Sequence, residues 1–300
     1  MHIFKNIKSF KHALSFIALL FYIFPIWANC AQPVAAGAFD WDDNIMFMPT
    51  QVILFHKYSN QIQHISTGEF AKHNQDIGKQ GFYIDYEIRK TELENSFKYF
   101  RDPESNIKNY FLHDVETTVS RKDNQWKGPS WERFIYALND ESAAKWTSII
   151  TARGHSPQSI YKALNYLKEQ KIIKYLPNIE NIHPVSHPNY VNLAPSPSEI
   201  KTKVMINMLD EISKCEIDSS QHHNHTHVWG FSDDDYNNYI HAKNNLSKEI
   251  ANGRWHNIKV SLFYTGGLMT VSNKLPYKHN FVDNFKSSLS WFNHSQPFHH

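Results

Sequence analysis

The sequence from residue 38 to residue 47 reads Ala38-Phe39-Asp40-Trp41-Asp42-Asp43-Asn44-Ile45-Met46-Phe47. Small and apolar residues lead directly into two carboxylates, Asp40 and Asp42, that stand two positions apart. Where a strand ends in a loop, both can converge on one cavity, because strict alternation of side chains holds only for extended chain. Paired carboxylates there can hold a hard divalent cation such as magnesium, and one can attack while the other moves protons. The same run is also typical of a polar turn, so the rest of the chain must decide.

The composition indicates a globular protein without a preference for nucleic acid. Hydrophobic residues make up 41% of the 300 residues, which is enough for a sizeable core, and the formal net charge is only +2. A charge this small gives no electrostatic reason to expect a polyanion as partner, so no nucleic acid is expected. The 19 histidines make the net charge sensitive to acid but indicate no function by themselves.

The first 31 residues have the order of a secretory signal peptide. Lysines precede an apolar run from Ala13 to Phe24, and a patch of small residues follows it. The run is short for a membrane span, so a cleaved signal is favoured over an uncleaved anchor. We therefore predict a signal peptide over residues 1–31 and a mature domain over residues 32–300. The protein is then periplasmic or secreted, and it meets the membrane only through its signal peptide.

Hydrophobic patterning predicts an alternation of strands and helices. The sequence favours strands over residues 35–39, 51–56, 61–65, 145–151, 228–232 and 258–264. It favours helices after Ser66 or Thr67 and over residues 85–100, 107–115, 131–138, 157–170, 199–215, 236–251 and 280–292, with a long connection over residues 172–197. From about residue 130 the order is typical of a parallel sheet with crossover helices. The predicted fold class is α/β, a Rossmann-like parallel sheet with helices on both faces.

Polar side chains follow three of these predicted strands. Asp40, Thr151 and Asp233 each stand where a strand gives way to a loop. Sites in parallel sheets lie at the carboxyl ends of the strands, where these residues would meet. Three strand ends that each carry a potential catalytic or ligand side chain are hard to explain as ordinary polar turns.

Together these segments resemble the four motifs of the haloacid dehalogenase superfamily of phosphohydrolases. Residues 40–44 resemble its first motif, and residues 149–151 resemble the second, an apolar strand that ends in Ser or Thr. Lys201, or less favourably Lys203, resembles the lysine of the third motif, and residues 230–237 resemble the acidic fourth. The Asp42-Asp43-Asn44 run after a predicted export signal also resembles the first motif of the bacterial periplasmic acid phosphatases of this superfamily. The resemblance to those enzymes is limited to this motif.

The resemblance implies a role for each matched residue. Asp40 would be the nucleophile that forms an aspartyl-phosphate, and Asp42 the general acid and base. Thr151 and Lys201 would bind the phosphate of the substrate. The magnesium ligands would be Asp40, Asp42 (through its backbone carbonyl) and Asp233, with Asp234 as the second choice for the last position.

Several neighbouring residues stay open at this stage. Asn44 stands where the family usually has Thr or Val, and Asn237 lowers the acidic count. Arg153 could contact substrate or be a surface arginine. The His-rich loop, residues 222–227, could bind a transition metal, although a solvated loop is favoured. Trp41, between the two aspartates, is expected to pack in the core.

The spacing between the first two motifs is longer than a bare core needs. We therefore predict an insertion over about residues 52–130, with the aromatic helix at 85–100 as its body. In the superfamily such insertions form caps that select the substrate. The function this implies is a magnesium-dependent phosphatase acting on a small-molecule or protein phosphomonoester. The alternatives are a phosphomutase, or a catalytically weak or inactive secreted binding or host-directed protein on the same scaffold.

Overall fold

The structure is a computed structural model that describes residues 33–104, 108–215 and 226–266. Its strands are β1 (Ala35–Phe39), β2 (Gln51–His56), β3 (Ile62–Ser66), β4 (Tyr86–Glu87), β5 (Ser148–Thr151), β6 (Ile182–Pro184), β7 (His227–Asp233) and β8 (Ile258–Tyr264). Its helices are α1 (Thr67–His73), α2 (Tyr110–Val119), α3 (Trp131–Asn139), α4 (Glu141–Trp146), α5 (Pro157–Glu169), α6 (Pro197–Ser213) and α7 (Tyr236–Ala251). Short 3-10 helices cover Gly81–Tyr83, Lys98–Phe100 and Ile179–Asn181.

The centre of the molecule is a five-stranded parallel sheet in the order β6-β5-β1-β7-β8. Helices α2, α3 and α5 pack on one side, called face A, where Phe39, Phe134 and Leu164 belong to one hydrophobic core. Helices α6 and α7 pack on the other side, called face B, where Ala38, Met205 and Leu246 belong to a second hydrophobic core. The predicted α/β class with a parallel sheet between helices is confirmed.

Residues 51–100 form a second unit, the small sheet, in the antiparallel order β3-β2-β4. Its own core contains Val52, Leu54, Ile65 and Tyr83. The unit is shorter than the predicted insertion over 52–130. The reason is that α2 and α3, which follow it, bury their apolar side chains in the core of the main sheet rather than in that of the small sheet.

The predicted helix over residues 85–100 is wrong. That segment holds β4, a turn and the 3-10 helix Lys98–Phe100, and Leu93 is 97% exposed rather than buried. The backbone N–H of Glu94 donates to Thr91 Oγ1 at 3.0 Å, and the Thr91 N–H donates to the Glu94 carbonyl at 3.0 Å. Such local side-chain and backbone hydrogen bonds compete with helical ones, and in this segment they form a turn in place of a helix.

Helix α6 and strand β6 also differ from the sequence prediction. Helix α6 begins at Pro197, two residues before the predicted start, and is capped by Ser196, whose hydroxyl accepts from Glu199 N. Strand β6 lies inside the segment expected to be a plain connection. It is an edge strand of three residues ending in Pro184, which is too short to show a period.

Among the described residues, no helix is long and apolar enough to cross a bilayer. The predicted signal peptide over residues 1–31 and the predicted helix over residues 280–292 lie outside the described residues, as do His222, His223 and His225.

Candidate active site

Three carboxylates meet at the carboxyl end of the main sheet. Asp40 follows β1, Asp233 ends β7 and Asp234 comes next, and each offers an oxygen within 4.8 Å of the others. They meet because β1 and β7 are paired in register, with Phe39 opposite Ser232. The sequence prediction that residues 40 and 233 lie together at this end is therefore confirmed, and Asp234 lies with them.

Lys201 joins two of these carboxylates. Its ammonium is buried and donates to Asp40 Oδ1 at 2.8 Å and to Asp233 Oδ2 at 2.7 Å. Lys203 is exposed and donates instead to the backbone carbonyl of Leu193 at 2.6 Å. Of the two lysines that the sequence left open, α6 therefore presents Lys201 to the acidic group.

Negative charge exceeds positive charge in this group. Burial raises the pKa of Asp40 to about 7, with the charges of Asp233 and Asp42 adding to burial and that of Lys201 opposing it. Burial also raises the pKa of Asp233 and, with the charge of Asp40, lifts the pKa of Asp234 well above its ordinary value. Burial lowers the pKa of Lys201, but the Asp233 and Asp40 carboxylates outweigh it and the net shift is upward.

The donor set fits a hard divalent cation. Asp40, Asp233 and Asp234 supply carboxylate oxygens, which magnesium prefers over nitrogen or sulfur ligands. A cation would also relieve the excess of buried negative charge, because opposite charge favours ionised carboxylates. Within the part of the chain that the structure describes, these three residues could hold a metal.

Asp42 is engaged outside this group. Arg153 grips its carboxylate with two bonds, Nε to Oδ2 at 2.8 Å and Nη2 to Oδ1 at 2.6 Å. Arg153 is fully buried, with its guanidinium 4.9 Å from the ring centre of Phe100 and 5.1 Å from that of Phe111. The alternative of a surface arginine is therefore wrong. The Asp42 side chain lies outside the three-carboxylate group, which leaves the metal contact implied for Asp42 to its backbone carbonyl.

Thr151 ends β5 at the same end of the sheet. Its side chain is buried, and its hydroxyl oxygen accepts from the backbone N–H of Arg153 at 3.2 Å. Strand β5 pairs with β1, so the hydroxyl stands one strand away from the residue that follows β1. The hydroxyl proton of Thr151 is left to donate to another acceptor.

Asn44 is the residue whose role the sequence missed. Its amide nitrogen donates to the backbone carbonyls of Asp40 and Ser232, both at 3.0 Å. Its oxygen accepts from Ser130 Oγ at 2.8 Å and Thr265 Oγ1 at 2.9 Å. One fully buried amide therefore links the ends of β1, β7 and β8 to the start of α3. Ser130, which precedes α3, donates its hydroxyl into this network and makes no side-chain cap to the helix.

Asp43 is a second residue that the sequence did not single out. It is buried, and its backbone has a φ of 55°, a conformation unusual for a residue other than glycine. Burial raises its pKa to about 6, although a hydrogen bond with the Thr67 side chain opposes the shift. Thr67 begins α1, so this carboxylate joins the site to the small sheet. A third acid directly after Asp42 was the signal that could have found it.

Two glycines allow the site loops to approach closely. A Cβ at Gly266 would lie 2.1 Å from the carbonyl oxygen of Asp234, and one at Gly128 would lie 2.4 Å from that of Asn44. Neither contact can be relieved by rotating a side chain, because both partners are backbone atoms. Glycine is therefore required at both positions.

Other open residues prove structural. Trp41 is fully buried and packs against Phe111 and Phe134, so the predicted packing role is confirmed. His227 Nδ1 accepts from the Val34 N–H at 3.0 Å, which leaves Nε2 to donate to the Cys215 carbonyl at 3.0 Å. Both ring nitrogens of His227 are used, so it is not a metal ligand.

The acidic run continues with a capping residue. The Asp235 carboxylate accepts from the Asn237 N–H at 2.7 Å and caps α7, and Asn237 itself is exposed. Asp235 is therefore occupied by the helix and is not in the three-carboxylate group.

Comparison of the chain with family models, with curated proteins and with solved structures finds no match. The fold stands as an α/β protein with a five-stranded parallel sheet. Any assignment of family or activity rests on the motifs and on the geometry of the site.

Proposed function

We propose that the protein is a magnesium-dependent phosphatase of the haloacid dehalogenase type that hydrolyses a phosphomonoester through an aspartyl-phosphate. The observation that carries this proposal is the group of buried Asp40, buried Asp233 and half-buried Asp234, with Lys201 bridging the first two. The group combines a potential nucleophile, a cation site and a fixed positive charge at the carboxyl end of a parallel sheet.

In the first step a carboxylate oxygen of Asp40 attacks the phosphorus and the ester bond to the leaving oxygen breaks. Asp42, once its carboxyl group is protonated and released from Arg153, gives its proton to that oxygen. In the second step Asp42 takes a proton from water, the water oxygen attacks the phosphorus, and the bond to Asp40 breaks. Inorganic phosphate leaves and Asp40 is restored. Lys201 and the Thr151 hydroxyl hold the phosphate oxygens.

The residues that would hold magnesium are Asp40, Asp233 and Asp234, with the backbone carbonyl of Asp42. The ion supplies positive charge that offsets the charge of the phosphate and orients the phosphate for attack. The excess of carboxylates over ammonium groups in the described site supports this requirement.

The small sheet is the candidate cap. Asp43 and Thr67 connect it to the site, and Arg153 lies against Phe100 at its end. In this proposal it covers the site and selects a small-molecule or protein phosphomonoester. The predicted signal peptide places the reaction in the periplasm or outside the cell.

The test is turnover of p-nitrophenyl phosphate with magnesium and with EDTA, for the wild type and for Asp40→Asn. We expect turnover only with magnesium, and a loss of at least about 1,000-fold in the variant because the nucleophile is gone. Asp123→Asn, which changes an exposed aspartate, is the matched control and should retain activity.

Magnesium binding is read separately from turnover, by thermal unfolding with and without the ion. A bound ion at one hundred times its Kd stabilises by about 2.7 kcal/mol, and Asp234→Asn should lose this gain. Metal-independent turnover, or full activity in Asp40→Asn, contradicts the mechanism. Absence of turnover on a broad substrate panel, with magnesium binding retained, favours the non-catalytic scaffold.

A further inference from the structure

Among the described residues, helices cover face A of the main sheet on one half only. Helices α2, α3 and α5 lie over the β6-β5-β1 half, while β7 and β8 have described helices on face B alone. Parallel sheets are normally covered on both faces. On face A an apolar groove of about 220 Å³ runs beside α3 and α4, with β1, β7 and β8 as its floor.

The floor of this groove is built from small side chains. Gly37, Val228, Gly230 and Ser261 line it, with Phe263 at its rim. A Cβ at Gly230 would make only ordinary contacts, 3.5 Å to the Phe263 ring and 3.8 Å to the Ser261 carbonyl. The described neighbours therefore do not require glycine there, whereas an element seated closely on the strands would.

The sequence after β8 has the length and pattern of that element. The described chain ends at Gly266, directly after β8, and residues 267–300 follow it. Over residues 280–292 a stripe of bulky apolar residues recurs at helical spacing, namely Phe281, Phe285, Leu289 and Phe292. A helix of about 13 residues is about 20 Å long, which matches the roughly 23 Å of the seven-residue β8.

We propose that residues 280–292 form a helix that folds back across face A of β7 and β8 and seats its apolar stripe in the groove. Bulky side chains of the helix fill the space above the small ones of the strands. The connection, residues 267–279, is long enough for this path, because extended chain spans about 3.3 Å per residue. Tethering favours this occupant over a second copy of the chain, because a short linker gives an effective concentration in the millimolar range.

The test uses the full chain with photoreactive benzoylphenylalanine in place of Phe285, or in place of Ser287 as the matched control. Position 287 lies on the opposite side of the proposed helix from the apolar stripe. Irradiation should cross-link position 285 to groove residues of β7 or β8 in the same chain, identified by mass spectrometry. The cross-link from position 287 should be at least about tenfold weaker there, because its side chain faces away.

A substitution in the groove tests the same contact from the side of the sheet. Ser261→Trp fills the floor of the groove and should reduce the cross-link from position 285 by more than half. Cross-links from position 285 to α6 or α7, cross-links between two chains, or no cross-link at all would each overturn the proposal. None of these outcomes depends on phosphatase activity, so this proposal is tested independently of the proposed function.

Discussion

Two cationic side chains, Lys201 and Arg153, are buried at the candidate site, and their surroundings differ. Lys201 faces Asp40 and Asp233 with Asp234 beside them, so carboxylates outnumber ammonium groups. Arg153 faces one carboxylate, that of Asp42, in a two-bond geometry between aromatic rings. The first surroundings leave charge to be neutralised, whereas the second pair one guanidinium with one hydrogen-bonded carboxylate.

The difference distinguishes a group of carboxylates suited to binding a cation from an ion pair that orients one carboxylate. A site with excess buried negative charge is costly for the protein alone, and an arriving cation lowers that cost. A bidentate arginine pair fixes a carboxylate in one orientation and needs no further charge. Asp40 and Asp42, only two residues apart, are thus held by different cations in different ways.

Removing the cation from the crowded group should have the largest effect on stability. Lys201→Met leaves Asp40 and Asp233 buried without their ammonium partner, and we expect a loss of about 3–5 kcal/mol in the free energy of unfolding. Urea unfolding without metal measures it. Lys203→Met, two positions away on the exposed side of α6, should change stability by less than about 0.5 kcal/mol. Equal effects in the two variants would contradict the assigned burial.

Removing the cation from the pair of Arg153 and Asp42 should cost less. Arg153→Met strands the Asp42 carboxylate, but its side chain keeps 16% exposure to water, so we expect a loss of about 2–4 kcal/mol. The exposed pair of Arg121 and Asp123 supplies the control, because Arg121→Met should cost less than about 0.5 kcal/mol. A loss for Arg153→Met as small as that of the control would show that the grip on Asp42 is weak.

The smallest of the three effects should be a gain in the free energy of unfolding, for the variant Asp43→Asn. The pKa of Asp43 is about 6 when folded and 3.8 ordinarily, so between these values the folded state binds more protons and stability falls as pH rises. Asp43→Asn removes a penalty that is complete above pH 6, and we expect a gain of about 2 kcal/mol at pH 7. Asparagine also tolerates the positive φ.

Urea unfolding of Asp43→Asn and the wild type at pH 7 and at about pH 4 checks this sign. The gain should shrink to less than about 1 kcal/mol at the lower pH, where the Asp43 carboxyl is protonated in the folded state and about half protonated in the unfolded state. A gain that is the same at both pH values would point to backbone strain rather than charge as its source.

The sequence predicted the elements whose patterns are local and strong. The bounds of β1, β8 and α7 agree with the structure because each is a clear apolar run or a capped amphipathic segment. The segment at 85–100 failed because its aromatics suggested a buried helix face, while bonds around Thr91 and Glu94 fold it into a turn. Local competition of this kind is not visible in periodicity.

The candidate site was predictable in its outline. Parallel-sheet topology alone brings Asp40, Thr151 and Asp233 to one edge, and the structure places them there. The Asn44 network was not predictable, because its partners Ser130, Ser232 and Thr265 lie far away in sequence and depend on side-chain orientation. The role of Asp43 likewise depends on a backbone angle that no pattern encodes.

Arg153 also lies where both connections of the small sheet reach the main domain. At the entry, Thr50 Oγ1 accepts from Arg153 Nη2 at 2.6 Å, and at the exit the Phe100 carbonyl accepts from Gly154 N at 2.8 Å. Both connections of the small sheet are therefore hydrogen-bonded to the adjacent residues Arg153 and Gly154, and Arg153 also holds Asp42. A displacement of the small sheet would therefore reach the Asp42 carboxylate through Arg153.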